Sequence, residues 1–259
     1  MNNNLVSIIM PSYNCGKYVE ETIRSVQAQT YKNWEIIFVD DCSTDGTVKR
    51  VSELREKDSR IKLFQNKFNS GAAVSRNNAL RESKGKWIAF LDSDDLWEPG
   101  KLEQQVRFME EKGYKFSYTC YSEMDGEGND TGVIVSGPSK VTKAGMFAFC
   151  WPGCLTVMYD AKEIGLLQIE DIKKNNDYAM WLKVCQKADC YLLPEVLAKY
   201  RRGRSGSVSS HGISTMIKWH YKLFREAEKM GVIHSLWHTG VNLVCGFYKK
   251  MKYVKRSKV

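Results

Sequence analysis

The 259-residue sequence has no Gly-x-Gly-x-x-Gly and no Gly-x4-Gly-Lys-Ser/Thr, so neither a dinucleotide fingerprint nor a P-loop is available. It also has no Cys-x-x-Cys. Among its eight cysteines, Cys150/Cys154 and Cys185/Cys190 have the wrong spacing for a zinc knuckle, and no histidine lies near them. They read as free thiols of a reducing compartment, buried as small core residues. The N-terminus, MNNNLVSIIMPSYN, has no basic n-region and no small-residue cleavage site, which argues against a signal peptide. Val232–Tyr248 is apolar but only 17 residues long, and His234, His238 and Asn242 interrupt it, so it is too short and polar for a transmembrane span. There is no internal repeat and no low-complexity tract.

What is present is an ordinary globular composition, 43% hydrophobic and 27% charged, long enough for one large α/β domain with or without an appendage. The net charge of +9 is unevenly placed. From Lys199 to Val259 there are 14 Lys/Arg against 2 Asp/Glu, while the body before it is slightly acidic. A near-neutral body with a basic tail points to an anionic partner for the tail.

The chain is organised around Lys86–Pro99. Trp87–Leu91 is apolar without alternation, the pattern of a strand buried on both faces of a parallel sheet. It runs into Asp92-Ser93-Asp94-Asp95. Three carboxylates at the mouth of a buried strand repel one another and cost desolvation energy, a cluster that a hard divalent ion such as Mg²⁺ or Mn²⁺ would relieve while sharing itself with substrate phosphates. The alternative is a solvated acidic turn before the helix that begins near Pro99.

Upstream, Leu5–Met10 and Trp34–Val39 read as strands, with helices over Tyr18–Gln29 and Thr47–Lys57, the second capped by Ser43 or Thr44. Ile61–Gln65 is a third strand and Ala72–Ser83 a third helix. This β-α-β-α-β-α-β order implies right-handed crossovers and a mostly parallel sheet flanked by helices. Strands 1, 2 and 4 then deliver Ser12/Tyr13, Asp40/Asp41 and Asp92/Asp94 to one edge, where open α/β sheets bind ligands. Downstream, Lys101–Lys112 reads as a helix, and Phe116–Tyr121 with Gly132–Ser136 as strands of a hairpin. Leu155–Tyr159 is strand-like, Tyr178–Lys187 a buried helix, and Tyr191–Tyr200 the last strand of the core.

In this order and spacing, SIIMPSYN, FVDDCSTDGT, NSGAAVSRNNAL, WIAFLDSDD, NNDYAMWLKV and LAKYRRGRSGSVS resemble a family 2 glycosyltransferase with the GT-A (Rossmann-like) fold. The resemblance covers roughly residues 5–210. It implies a catalytic domain over 1–210 with a basic helical appendage over 211–259. It also implies inverting transfer of a sugar from a nucleotide donor, usually UDP-linked, to an acceptor hydroxyl. By position, Pro11, Tyr13 and Asp41 would hold the base and ribose, with Asp40 the alternative neighbour. Asn69 and Arg76 would approach the uridine and phosphates. Asp92, Ser93 and Asp94 match the Asp-x-Asp element, with Asp94 and Asp92 toward a divalent metal, Mn or Mg, and Asp95 near the donor sugar. Asp177 matches the general base, although the family's preceding Glu is here Asn176. Asp171 and Glu170 stand next in line, and an N-cap on the following helix is the other reading of Asp177.

Arg201, Arg202 and Arg204 could fork onto a donor or acceptor diphosphate, or be a solvated basic loop. Trp151 and Trp181 are sugar platforms or core residues. Aromatic and apolar residues beside many lysines suit 232–259 to an anionic membrane surface, against the alternative of packing on the protein itself or on a second subunit. A lipid-linked acceptor in bacterial surface-polysaccharide (O-antigen or capsule) assembly, at the cytoplasmic face of the cell membrane, is what the resemblance implies. Two rival functions lack the sequence features they need. A metal-dependent sugar nucleotidyltransferase needs a Gly-rich loop near strand 1, where Pro11–Gly16 offers one Gly. A nucleic-acid binder needs a recognition motif that the tail does not have; no nucleic acid is expected as a partner.

Overall fold

The computed structural model describes residues 2–203 and 212–256. The first half is β1 (Asn2–Ser12), α1 (Val19–Gln27), β2 (Trp34–Asp40), α2 (Thr47–Lys57), β3 (Ile61–Gln65), α3 (Ala72–Glu82) and β4 (Gly85–Phe90). Then come β5 (Leu96–Trp97), α4 (Lys101–Lys112), β6 (Phe116–Met124), β7 (Asp130–Val135), β8 (Lys140–Val141) and α5 (Lys143–Ala148). The second half closes with β9 (Met158–Asp160), α6 (Ala161–Ile164), α7 (Asn176–Cys185), β10 (Cys190–Arg201), α8 (Ile213–Lys222), α9 (Val232–Lys252) and β11 (Val254–Arg256).

The main path of the sheet runs β11-β7-β6-β9-β4-β1-β2-β3. Its first half, β4-β1-β2-β3, is parallel throughout, as the βα alternation requires. Beyond β4 the sheet turns mixed: β9 enters antiparallel between β4 and β6, while β10 lies parallel to β6. Successive residues of the inner strands feed opposite layers. Ile8, Met10, Ile36 and Phe38 pack with Val19, Ile23 and Val51 on one face, and Ile9, Ile37 and Val39 pack with Ala79 and Leu80 of α3 on the other. That second layer continues into Trp181 of α7 and into Leu223 and Phe224 of the turn of π-helix that follows α8.

Two readings need correction. Neither Ser43 nor Thr44 caps α2; the cap position is Gly46, and Asp45 Oδ1 accepts from the Thr47 N–H instead. Leu155–Tyr159 is divided, because Cys154–Thr156 winds into a 3-10 turn before β9. A helix, α5, forms over the segment between β8 and Trp151, capped by the Thr142 hydroxyl. Tyr191–Tyr200 lies within β10, the last core strand, and the short β11 adds a partly exposed strand antiparallel to β7 at the sheet edge. Trp151 and Trp181 are core residues: Trp181 is fully buried edge-on to Phe90 at 5.0 Å, and the Trp151 indole N–H donates to the Gly145 carbonyl.

Candidate active site

The parallel register aligns Ser12 with Asp40 at the carboxyl ends of β1 and β2, and the Leu91 N–H reaches back to the Ile9 carbonyl just past β4. Three loops therefore share one edge, as expected from strand order. Pro11 is buried in the end of β1, while Tyr13 beyond it is 49% exposed. Asp40 is wholly buried; its Oδ2 accepts from the Ser43 N–H at 2.9 Å and its Oδ1 has no partner among the described residues. Asp41 gathers the loop after β3: Asn66 Nδ2 and the Ser70 N–H donate to Oδ1 at 2.7 and 2.8 Å, and the Gly71 N–H donates to Oδ2 at 2.7 Å. That places exposed Asn69 at the rim.

Gly71 takes φ +88° and ψ 165° so that its N–H can point at Asp41, a conformation essentially reserved for glycine. Gly71→Ala is expected to cost roughly 1–3 kcal/mol, read as a lower midpoint in chemical denaturation. An unchanged midpoint would show that the loop relaxes without Asp41.

The acidic turn is braced from both sides. Ser93 Oγ donates to Ser12 Oγ at 3.0 Å. From β10, the Arg201 N–H donates to Asp95 Oδ1 and its Nε donates to the Asp94 carbonyl, each at 2.8 Å. The same guanidinium pairs with Glu21 at 2.7 Å and stacks 4.7 Å from the Tyr18 ring centroid. Arg201 thus lies buried behind the turn and holds its shape, which corrects both the diphosphate-clamp and the solvated-loop readings of this residue. Arg202 pairs with Glu123 at 2.9 Å, and Arg204 lies outside the described residues. A basic run next to a glycine gave no sign of this inward turn; only the β10 register supplies it.

From α3, Arg76 is the hub. Its Nη2 donates to Asp92 Oδ1 at 2.5 Å and its Nη1 donates to Asn176 Oδ1 at 2.8 Å. It therefore ties the acidic turn to the start of α7, where Asp177 stands. Asn175, in the left-handed region at φ 57°, is the cap residue of α7, so Asp177 is not the N-cap; it sits in the first turn and accepts from the Tyr178 N–H at 2.8 Å. Glu170 is paired with Lys183 at 2.6 Å and Asp171 is exposed, so neither replaces Asp177 beside Arg76. The Tyr178 hydroxyl donates to the Met146 carbonyl and accepts from Asn242 Nδ2 of α9, a support for the α7 start that sequence reasoning missed.

The electrostatics follow from burial around one cation. Burial raises Asp177 above its ordinary 3.8, and the Arg76 charge opposes the rise. Asp95 is pushed well above the carboxylate range by burial and then by Asp94 and Asp92. Burial works against the Arg76 charge, but Asp92 and Asp177 hold it above its usual value. Cys154 lies within the same field; burial pushes both its thiol and that of Cys150 up, so both stay protonated at neutral pH.

No group of three His, Cys, Asp or Glu side chains converges on one point among the described residues. Asp92 and Asp94 stand two positions apart in the turn at the sheet edge, a set of one or two carboxylates for a cation. That set fits Mg²⁺ or Mn²⁺, which take one or two carboxylates and complete their shell with substrate phosphates and water.

The site is thus an acidic turn at the carboxyl edge of a parallel βα sheet, joined by an arginine to the first turn of α7. The profile of glycosyl transferase family 2 matches residues 7–143, and the chain belongs to that family. TuaG of Bacillus subtilis (strain 168), a teichuronic acid biosynthesis glycosyltransferase by its description, is 39% identical over 234 residues, 90% of this chain and 92% of that protein. WfaP of Escherichia coli, a UDP-Glc:α-D-GlcNAc-diphosphoundecaprenol β-1,3-glucosyltransferase, is 39% identical over 214 residues, 83% of each chain. The crystal structure of S. aureus TarS 1–349 with UDP-GlcNAc superposes with a TM-score of 0.70 at 22% identity, covering 95% of this chain and 76% of that one, a likeness of fold.

Proposed function

We propose that this glycosyltransferase moves a sugar from a UDP-sugar to a hydroxyl of a saccharide carried on a polyprenyl diphosphate, with inversion at the anomeric carbon. The product would extend a bacterial surface polysaccharide at the inner face of the cell membrane. The observation that carries this reading is the Arg76 bridge, which ties the acidic turn to Asn176 at the start of α7, where Asp177 stands. The lipid-linked acceptor rests on the description of WfaP, and the surface polymer on that of TuaG.

In this reading Pro11, Tyr13 and Asp41 receive the uracil and ribose, with exposed Tyr13 as the stacking face and Asp40 as a buried brace beneath. Asn69 and Arg76 lie toward the phosphates. Asp94 and Asp92 are the residues that would hold a divalent cation, whose chemistry is to neutralise charge on the departing diphosphate. Asp95, with Ser93 beside it, lines the donor-sugar side of the turn. Asp177 takes the proton of the acceptor hydroxyl as that oxygen attacks from the face opposite the diphosphate. One in-line displacement inverts the centre, by the same logic as in inverting hydrolases. The Arg76 charge opposes the rise that burial imposes on the Asp177 carboxyl.

A thermal-shift panel of UDP- and GDP-sugars with Mn²⁺, followed by turnover on a GlcNAc-diphosphate-lipid, tests the reading. A selective shift with one UDP-sugar and a product of inverted anomeric configuration by NMR are expected. A shift with none, or a retained configuration, contradicts it.

A further inference from the structure

Helix α9 is inside out. Ser235, Thr239 and Asn242 are buried against the body, where Thr239 Oγ1 donates to the Ser235 carbonyl and Asn242 Nδ2 donates to the Phe147 carbonyl and the Tyr178 hydroxyl. Gly246 lets the helix approach so closely that an added Cβ would stand 3.1 Å from the Phe149 ring. The opposite side carries Ile233 (81% exposed), Leu236, Trp237 (68%), Val244, Phe247 and Met251, at the three- and four-residue spacing of one helical face. Over 21 residues this apolar face is about 30 Å long, and single scattered exposed hydrophobics do not account for it. No helix among the described residues is long and apolar enough to cross a membrane.

The geometry points to the outer face of α9 as an interfacial docking face for an anionic lipid bilayer. Charge decides the occupant. The helix contains no Asp or Glu, and exposed Lys250 and Lys252 stand in its last turn, followed by exposed Lys255 and Arg256, while Lys249 turns inward to donate to the Trp151 carbonyl. A second copy would bring an equivalent face with no carboxylate to meet those lysines, whereas anionic headgroups meet them directly beside a hydrocarbon edge that takes the aromatic side chains. The polar stripe explains why the helix stays put: it is clipped to Tyr178, the residue after Asp177. A bilayer held by the outer face would therefore stand in fixed relation to the proposed base. This orientation rests on the lipid-linked acceptor reading, while the docking itself does not.

The test is co-sedimentation of the full chain with vesicles of phosphatidylcholine alone and of phosphatidylcholine mixed with phosphatidylglycerol, with neither donor nor acceptor present. Binding to the anionic vesicles that weakens with salt is expected. Trp237→Gln with Phe247→Gln should weaken it roughly 100-fold, and Lys250→Gln with Lys252→Gln about 30-fold. The first pair should leave turnover on a soluble acceptor unchanged. A chain that stays in the supernatant with anionic vesicles overturns the proposal, as does binding that W237Q/F247Q leaves intact. If sedimentation velocity instead finds a dimer that W237Q/F247Q dissociates, with no vesicle binding, the face belongs to a second copy and the proposal fails. Vesicle binding by a chain that transfers no sugar would count against the enzymatic reading alone.

Discussion

Asp177→Asn should lower kcat by roughly 10²–10⁴-fold while leaving UDP binding in place, the usual worth of one positioned general base. Asparagine keeps the shape and still accepts from the Tyr178 N–H, but it cannot take the acceptor proton. The pH profile sharpens the expectation. Burial raises the Asp177 carboxyl above its ordinary 3.8, so the acid limb of kcat/KM should lie above that value, with activity rising as pH climbs through it. The variant should lose that limb. Stability should not suffer: a carboxyl raised in the folded state makes folding less favourable above its unfolded value, and Asn removes that penalty. A variant that keeps parental kcat would move the base to another residue.

Arg76→Met should be the most destabilising single change at the site. Its guanidinium is 8% exposed and bonded to Asp92, whose side chain is 35% exposed, and it also faces Asp177. Removing one partner of a buried pair leaves carboxylates without compensation, a loss of roughly 3 kcal/mol here, since water reaches Asp92 and partly screens it. For a chain of this size that is a fall in Tm of roughly 6–12 °C. Without the opposing cation the Asp177 carboxyl should rise further, so the acid limb of the surviving activity should move to higher pH. A Tm within a degree or two of the parent would mean that Asn176 and water replace the hub.

The parallel half of the molecule was legible because its residues carry unambiguous periods. α2, β3 and α4 begin and end where spacing places them, and the ends of β1, β2 and β4 meet as strand order demands. The second half was less legible. Several of its strands are two or three residues long, and β9 and β11 take their places from pairing with β4, β6 and β7 rather than from any run of their own. Arg201 reads as part of a solvated basic run because nothing local announces that β10 carries it behind Asp94 and Asp95. The composition of α9 was plain, but the direction of its faces was not: Asn242 interrupts an apolar segment on paper and is the residue that anchors it in space. At the site itself, residue types pointed to the acidic turn and the resemblance to Asp177 and Arg76, and only the fold revealed that Arg76 bridges the turn and the start of α7.

The central claim is that the aspartates after β4 bind a nucleoside diphosphate through a divalent cation. Calorimetric titration of UDP into the parent and into Asp94→Ala, with and without Mn²⁺, addresses it most directly. The account predicts Mn²⁺-dependent binding to the parent that the substitution abolishes while the fold is retained. Equal, metal-dependent binding by both proteins would contradict it.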